Sequence, residues 1–464
     1  MKKNQWMLAG ASLLLAGSLA ACSSNNNATT EAEGSSDKPT EQTKLVYWSI
    51  DRHDSDFIEQ KISEYEGLNP GVDIEFKVMA DNYAQSVDIA FSSKQAPDIL
   101  RVDTGNVPTW VKKGYLESFD EYITPEMKSR FENVLINEKN TIDGKIYTLP
   151  NIGQFWRLIY NVDLFEKAGI AAPPTTLAEM VEDAKKITAA GKDIGAYGLA
   201  GNFKSGSGFE RIAHPITTLS KTVGTEGFNF QTGQFDFGMY KETLEALRQI
   251  VEDGSMMPGS ESLDIDPLRA QFAQGKIGMY FNHSVEPSVY KTQFPTDIRW
   301  AAALPPTVDG KQNGASQVIS GSYLAMSKDS GQKEAAWKFI EWMYSDEVQT
   351  AYQEGGYGVS VIPSVAAAAK APDIPGIEYF LPTKFDGIYP ATPFGATEGR
   401  LEGTKKMDVF NRFIFTGGDL DKEIQDLNTR YNAALEKAKA AGDTTIEAQP
   451  DFSAANLQGS LVSE

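Results

Sequence analysis

The sequence predicts an α/β chain of two lobes, and three observations carry that prediction. The chain has 464 residues, more than the ~250–300 at which a single hydrophobic core stops growing. With 41% hydrophobic and 11% aromatic residues it can fill two ordinary cores. From Leu45 to Val102 the text alternates strand and helix periods. Two apolar runs end in proline, at Leu149-Pro150 and at Trp300–Pro306. Proline removes a backbone donor and biases the preceding residue towards extended geometry, so each run should end a strand and leave the chain extended. Both are read as crossings between lobes.

The N-terminus comes first in the chain. Lys2 and Lys3 precede an apolar, small-residue stretch from Trp6 to Ala21, too short to span a bilayer comfortably, and LAAC (Leu19–Cys22) closes it. This resembles a bacterial lipobox, which implies a signal peptide over 1–21, cleavage before Cys22 and lipid on its sulfur. Cys22 is the single cysteine, so no intrachain disulfide can form. The stretch 22–43 is Ser, Asn, Thr, Glu and Gly with little to bury, and reads as a disordered tether of roughly 25 Å coil-like reach. Two or three acyl chains hold a protein stably at a membrane where one does not, so the folded part is expected on the extracellular face of a bacterial cell membrane.

The body opens with Leu45, Val46, Tyr47 and Trp48, a buried-strand signature. Phe57, Ile58, Ile62 and Tyr65 recur at helical spacing up to the Asn69-Pro70-Gly71 turn; Val72, Ile74, Phe76 and Val78 then alternate at strand period. Tyr83, Val87 and Phe91 make a second helical stripe and Ile99, Leu100 and Val102 a third strand. In parallel sheets of this kind ligands sit beyond the strand C-termini, which points at Trp48, Asp51 and His53, at Asp81 and Asn82, and at Asp103, Thr104 and Asn106. Past the first crossing, Thr176 and Glu179 form a capping box for a helix stopping near Gly191. The Gly- and Ser-rich 198–214 carries Phe209 and Arg211 into another helix, and Asn282 and His283 follow the strand Ile277–Phe281. Helices are also expected from Ser330, from Ser345 to Gly355 and over 424–440, with a mobile tail over 441–464.

APDIL (96–100), GKIYTLP (144–150), LIYNVDLFEKAGIAAPPTT (158–176), FAQGKIGMYFN (272–282) and AAWKFIEWMYSDEVQ (335–349) resemble, in order, the signatures of family 1 extracellular solute-binding proteins of ATP-driven (ABC) importers, the oligosaccharide-binding relatives of the maltodextrin-binding protein. The resemblance implies a two-lobe, type II periplasmic-binding-protein-like fold, each lobe a mixed or parallel sheet with helices on both faces, joined by hinge crossovers. Lobe 1 is expected over 44–151 and 303–346, lobe 2 over 152–302 and 347–440. It further implies a monomer that captures a carbohydrate between the lobes and delivers it to membrane permease subunits.

A sugar site needs flat aromatic faces for the C–H side of each ring and planar polar groups for paired hydroxyls. Trp48 and Trp156 lie in polar gaps, where each either stacks on ligand or caps a lobe core; Asp103 and Asn282 either bind ligand or cap a helix. Gln154 stands where the family often has a carboxylate. Val285–Pro287 carry no aromatic and no Trp lies near Gly395–Thr404, both places where the family often stacks a ring; Trp156, Phe209 and Tyr357 are the substitutes. The net charge of −20 argues against nucleic acid and against a polybasic membrane contact. No GxSxG, HExxH, P-loop or paired cysteines appear, and His53, His214 and His283 are too scattered to imply a metal, so no cofactor is expected. Two other readings are a non-sugar solute (a polyol phosphate, peptide or polyamine) and a surface-anchored carbohydrate-degrading enzyme.

Overall fold

The computed structural model describes residues 42–79, 82–204 and 208–462. The signal-peptide and tether readings over 1–41, Cys22 included, and Asp81 lie outside the described residues. All described residues fall within one compact unit, Gln42–Glu464.

The first sheet has the strand order Val72–Val78, Thr43–Ser49, Ile99–Asp103, Ser322–Ser327, Leu116–Glu117. Its first three strands run parallel, with Leu45 beside Ile74 and Tyr47 beside Ile99; Ser322–Ser327 returns antiparallel. Strand side chains alternate between faces, so each face collects its own core. Leu45, Tyr47 and Ile99 pack under the helices Ser55–Leu68 and Lys333–Met343, while Leu100 and Val102 pack under Tyr83–Ser92 and Trp110.

The second sheet runs Trp300–Ala303, Trp156–Asn161, Ile277–His283, Tyr197–Leu199. Leu158 faces a large core built on Met180, Phe209 and Phe410, and its neighbour Ile159 faces a smaller one with Phe272 and Tyr280. Thr176 and Glu179 cap the helix Leu177–Ala190 reciprocally, which satisfies its first backbone donors, and Gly191 ends it.

Between the two sheets lies a three-stranded hinge ribbon: Ile319–Ser320, Ile152–Gln154 and Val359–Ser360. The ribbon strand Ile152–Gln154 follows Leu149-Pro150 directly. Trp300–Ala303 is an edge strand of the second sheet, and after Pro305-Pro306 the chain still pairs there, with Thr307 N donating to Thr175 O at 3.0 Å and Leu177 N to Thr307 O at 2.9 Å. The return follows Ile319–Ser320 and enters the first sheet at Ser322. A third crossing lies at Val359–Ser360 rather than at 347. The helix Asp346–Glu354 stays with the first core, because Val348 and Tyr352 pack there and Tyr352 meets Phe57 edge-on at 5.2 Å.

The stretch after the helix Leu420–Ala440, expected as a mobile tail, is packed over its described residues. Ala454 is fully buried in the second-lobe core, and Ile446, Phe452 and Leu457 lie against it. Its sparse apolar residues fill space between elements that are already formed.

Candidate functional site

Two walls carry the predicted residues. The first is built by strand ends of the first sheet. Trp48, half-buried, lies on the core of Tyr83 and Trp110; its carbonyl accepts from the Tyr83 hydroxyl at 3.1 Å, and its indole Nε1 is buried without an acceptor. Behind it sits Arg101, a cation in the middle of a buried strand. Its Nε meets Asp51 Oδ2 at 2.8 Å and its Nη1 donates to Asp54, while the Tyr352 hydroxyl donates to Asp54 at 2.7 Å. Ser322 Oγ donates to Asp51, whose side chain remains 27% exposed. Burial pushes the Asp54 carboxyl up, but Arg101, aided by His53 and the Tyr352 hydroxyl, outweighs it and holds the group below the usual carboxylate value. His53 Nε2 lies 3.2 Å from the Tyr357 carbonyl and 3.3 Å from the Tyr352 hydroxyl, and the Tyr357 ring rests on Phe57 at 5.0 Å.

The remaining first-wall residues are less engaged. Asp103 turns back to accept from Gly105 N at 2.8 Å and caps the short turn Thr104–Asn106, so its carboxylate does the local work weighed against ligand binding. Thr104 is mostly buried, Asn106 half-buried, and Asn82 is exposed at the start of its helix with φ 55°.

The second wall starts at the hinge. Gln154 ends the ribbon strand opposite Ile319, and two residues on Trp156 opens the second sheet, 7% exposed and in register with His283. The His283 ring meets the indole edge-on at 5.3 Å, and the Arg211 guanidinium lies over the indole at 5.7 Å. Trp156 Nε1 is also a buried donor without an acceptor. Arg211 Nη1 donates to Asn282 Oδ1, and Asn282 Nδ2 donates to Glu286 at 2.6 Å. Glu286, fully buried, also accepts from Arg269 Nε at 3.0 Å and from the Tyr280 hydroxyl at 2.7 Å. Asn282 is fully buried as well and links Arg211 to Glu286. Phe209 is not a stacking platform: at 1% exposure it packs against Tyr240 and Phe410 in the core, since helix Gly208–Ser220 turns it inward while turning Arg211 out.

The walls act on each other. Burial pushes the His283 imidazole well below its ordinary value, and Arg211, Arg269 and His53 push it further; His53 belongs to the first wall. The hinge beneath is fixed by Arg157, which makes a bidentate pair with buried Asp386 at 2.9 Å for both contacts and donates to the Trp156 carbonyl at 2.8 Å. Sequence reasoning missed Arg101, Asp54, Tyr352, Glu286, Arg269 and Arg157. A signal existed for two of them: Arg101 and Arg157 interrupt apolar strand runs, where a charge must find a partner.

Among the described residues no group of three or more His, Cys, Asp or Glu is placed to hold a metal ion, and no helix is long and apolar enough to cross a membrane. The arrangement brings together a half-buried indole at Trp48, an indole at Trp156 covered by a guanidinium and an imidazole, and the carboxylates of Asp51 and Asp103.

Comparison with known proteins agrees with the fold. A binding protein of Brucella abortus (strain 2308) is 28% identical over 295 residues, 63% of this chain and 69% of its own length. The maltotriose-binding protein of Pyrococcus abyssi is 25% identical over 304 residues, covering 64% of this chain and 62% of its own. The crystal structure of the cyclic α-maltosyl-1,6-maltose binding protein of Arthrobacter globiformis superposes with a TM-score of 0.66 at 18% identity, over 85% of this chain and 100% of that one. The profile of the bacterial extracellular solute-binding proteins matches residues 51–350, and the chain belongs to that family.

Proposed function

We propose that the two walls close on an oligosaccharide outside the cell and that the loaded protein delivers it to the permease of an ABC importer, with no bond made or broken. The observation that carries this reading is the pair of tryptophans, one on each wall, each keeping a buried indole N–H without an acceptor. An unmade hydrogen bond of this kind costs ~1–3 kcal/mol, which a sugar oxygen reached by a small shift of either ring would recover. Beside Trp156 stand Arg211 and His283, and the strand end that carries Trp48 leads into Asp51 and His53, planar or acidic partners for paired hydroxyls. The sugar ligands in the relatives' names support the same class. The lobes turn about Ile152–Gln154, Ile319–Ser320 and Val359–Ser360, the protein works as a monomer, and lipid on Cys22 keeps it at the membrane.

Binding energy is sufficient for closure. A micromolar site has ~8 kcal/mol available, whereas moving a two-state equilibrium from 1:99 to 99:1 takes ~5.5 kcal/mol. A thermal-shift screen over neutral mono- and oligosaccharides tests the reading, because a solute that binds only the folded protein raises its melting temperature. A panel of neutral sugars that leaves the transition unmoved would overturn it. One observation favours a second reading, an anionic solute such as a polyol phosphate: the charges of Arg211, Arg269 and His53 converge on His283. Sugar phosphates and uronates in the same screen separate the two.

A further inference from the structure

The C-terminal segment runs across the molecule rather than along one part of it. It leaves the last helix at Ala440 and is held to the second lobe by backbone pairing: Gln449 N donates to Phe230 O at 2.7 Å and Ala454 N to Thr222 O at 2.9 Å. Gln458 Nε2 then bonds to Gln312 O at 2.9 Å and to Gly314 O at 2.6 Å, and Gly459 N donates to Lys384 O at 2.8 Å. Before these anchors it touches the first lobe twice. Asp443 pairs with Lys112 at 3.2 Å, on the helix that follows Asp103–Asn106, while also pairing with Arg400 at 2.6 Å; Thr445 Oγ1 donates to Glu138 at 2.7 Å. After the anchors, Leu461 enters the apolar cluster beside the hinge ribbon, with Phe155, Val318 and Val359. A cavity of about 430 Å³ lies under the segment, its walls drawn from Asn133–Glu138, from Ile388–Ala391 and from Thr445–Gln449.

We propose that residues 441–462 are a strap: anchored on the second lobe and at the hinge, it reaches the first lobe through Lys112 and Glu138 and thereby holds the lobes together. Opening breaks only the contacts that cross the hinge. The backbone bonds to Phe230, Thr222 and Lys384 lie within the second lobe and move with it. The contacts to Lys112 and Glu138 join elements on opposite sides of the hinge, so rotation about the ribbon breaks them and opens the cavity. Any contact present in one state only biases the equilibrium towards that state. Both are exposed, so each shifts the open-to-closed ratio by about two- to five-fold, enough to tune a binding protein without locking it. The strap concerns lobe motion and does not depend on which solute the cleft takes.

The test uses the full chain without solute. Lys112→Ala with Glu138→Ala removes both crossing contacts from the first-lobe side and leaves every anchor and the candidate site untouched. The expected result is a larger radius of gyration by small-angle scattering, and at least two-fold faster hydrogen exchange at the amides of Ile152–Gln154 and Val359–Ser360, with the thermal transition kept. A second variant, Asp443→Asn, which loses the crossing pair from the strap side, should move both readouts in the same direction. Scattering and hinge exchange identical to the parent in both variants would overturn the strap, as would exchange of the wild-type amides of Gln449 and Ala454 at the rate of an unstructured chain.

Discussion

The two walls solve one problem in opposite ways. On the first wall the buried charge is the cation: Arg101 is held by Asp51 and Asp54, and Asp51 keeps a side-chain exposure of 27% and so presents an acceptor. On the second wall the fully buried charge is the anion: Glu286 is surrounded by Arg269, Tyr280 and Asn282, and the network continues through Asn282 to half-buried Arg211. The tryptophans differ in step, Trp48 being half-buried on an apolar bed and Trp156 almost closed over by Arg211 and His283. Under the proposed function, Asp51 as acceptor and Arg211 as donor would take the two partners of a vicinal diol, each held in place by its own network before any solute arrives.

The largest effects should come from breaking the buried charges. Glu286→Ala leaves Arg269 without its buried partner and is expected to cost about 3–5 kcal/mol in denaturant unfolding, and Asp386→Ala the same through Arg157. A loss under 1 kcal/mol in either would show that water replaces the lost carboxylate. Next in size are the tryptophans. Trp156→Ala should lose about 3 kcal/mol of stability along with solute binding, whereas Trp48→Ala, less buried, should lose binding with about 1–2 kcal/mol of stability. Equal stability costs would erase the contrast between the walls. Arg211→Met should preserve the melting temperature within a few degrees and weaken solute affinity about ten-fold in calorimetry, since it removes the half-buried cation that lies over Trp156 and not a core group.

The smallest effect is on pH dependence. His283 and His214 are both held below the ordinary value of 6.5, so in the folded protein they resist a proton that the unfolded chain accepts. Stability therefore falls as pH drops below about 6.5, and His283→Gln should flatten that slope between about pH 6.5 and 5. An unchanged slope would mean that His283 is reached by water.

What was legible in the sequence follows the range of the forces involved. The capping box at Thr176 and Glu179 and the stop at Gly191 depend on a few adjacent residues, and the structure has both where the text put them. The second crossing failed because Pro305-Pro306 ends a strand without saying which lobe the chain visits next. At the site, Trp156, Arg211 and His283 come together, whereas Asn282 lies buried against Glu286 and Phe209 lies in the core. Whether a residue just past a strand faces a cleft or a buried carboxylate depends on Glu286, which reads in sequence as an ordinary surface acid before Pro287.

The central claim is that the walls meet around a solute. Small-angle scattering of the protein with and without a saturating solute from the thermal-shift screen tests it directly. The account predicts a smaller radius of gyration on saturation; an unchanged radius with the site demonstrably full would contradict it.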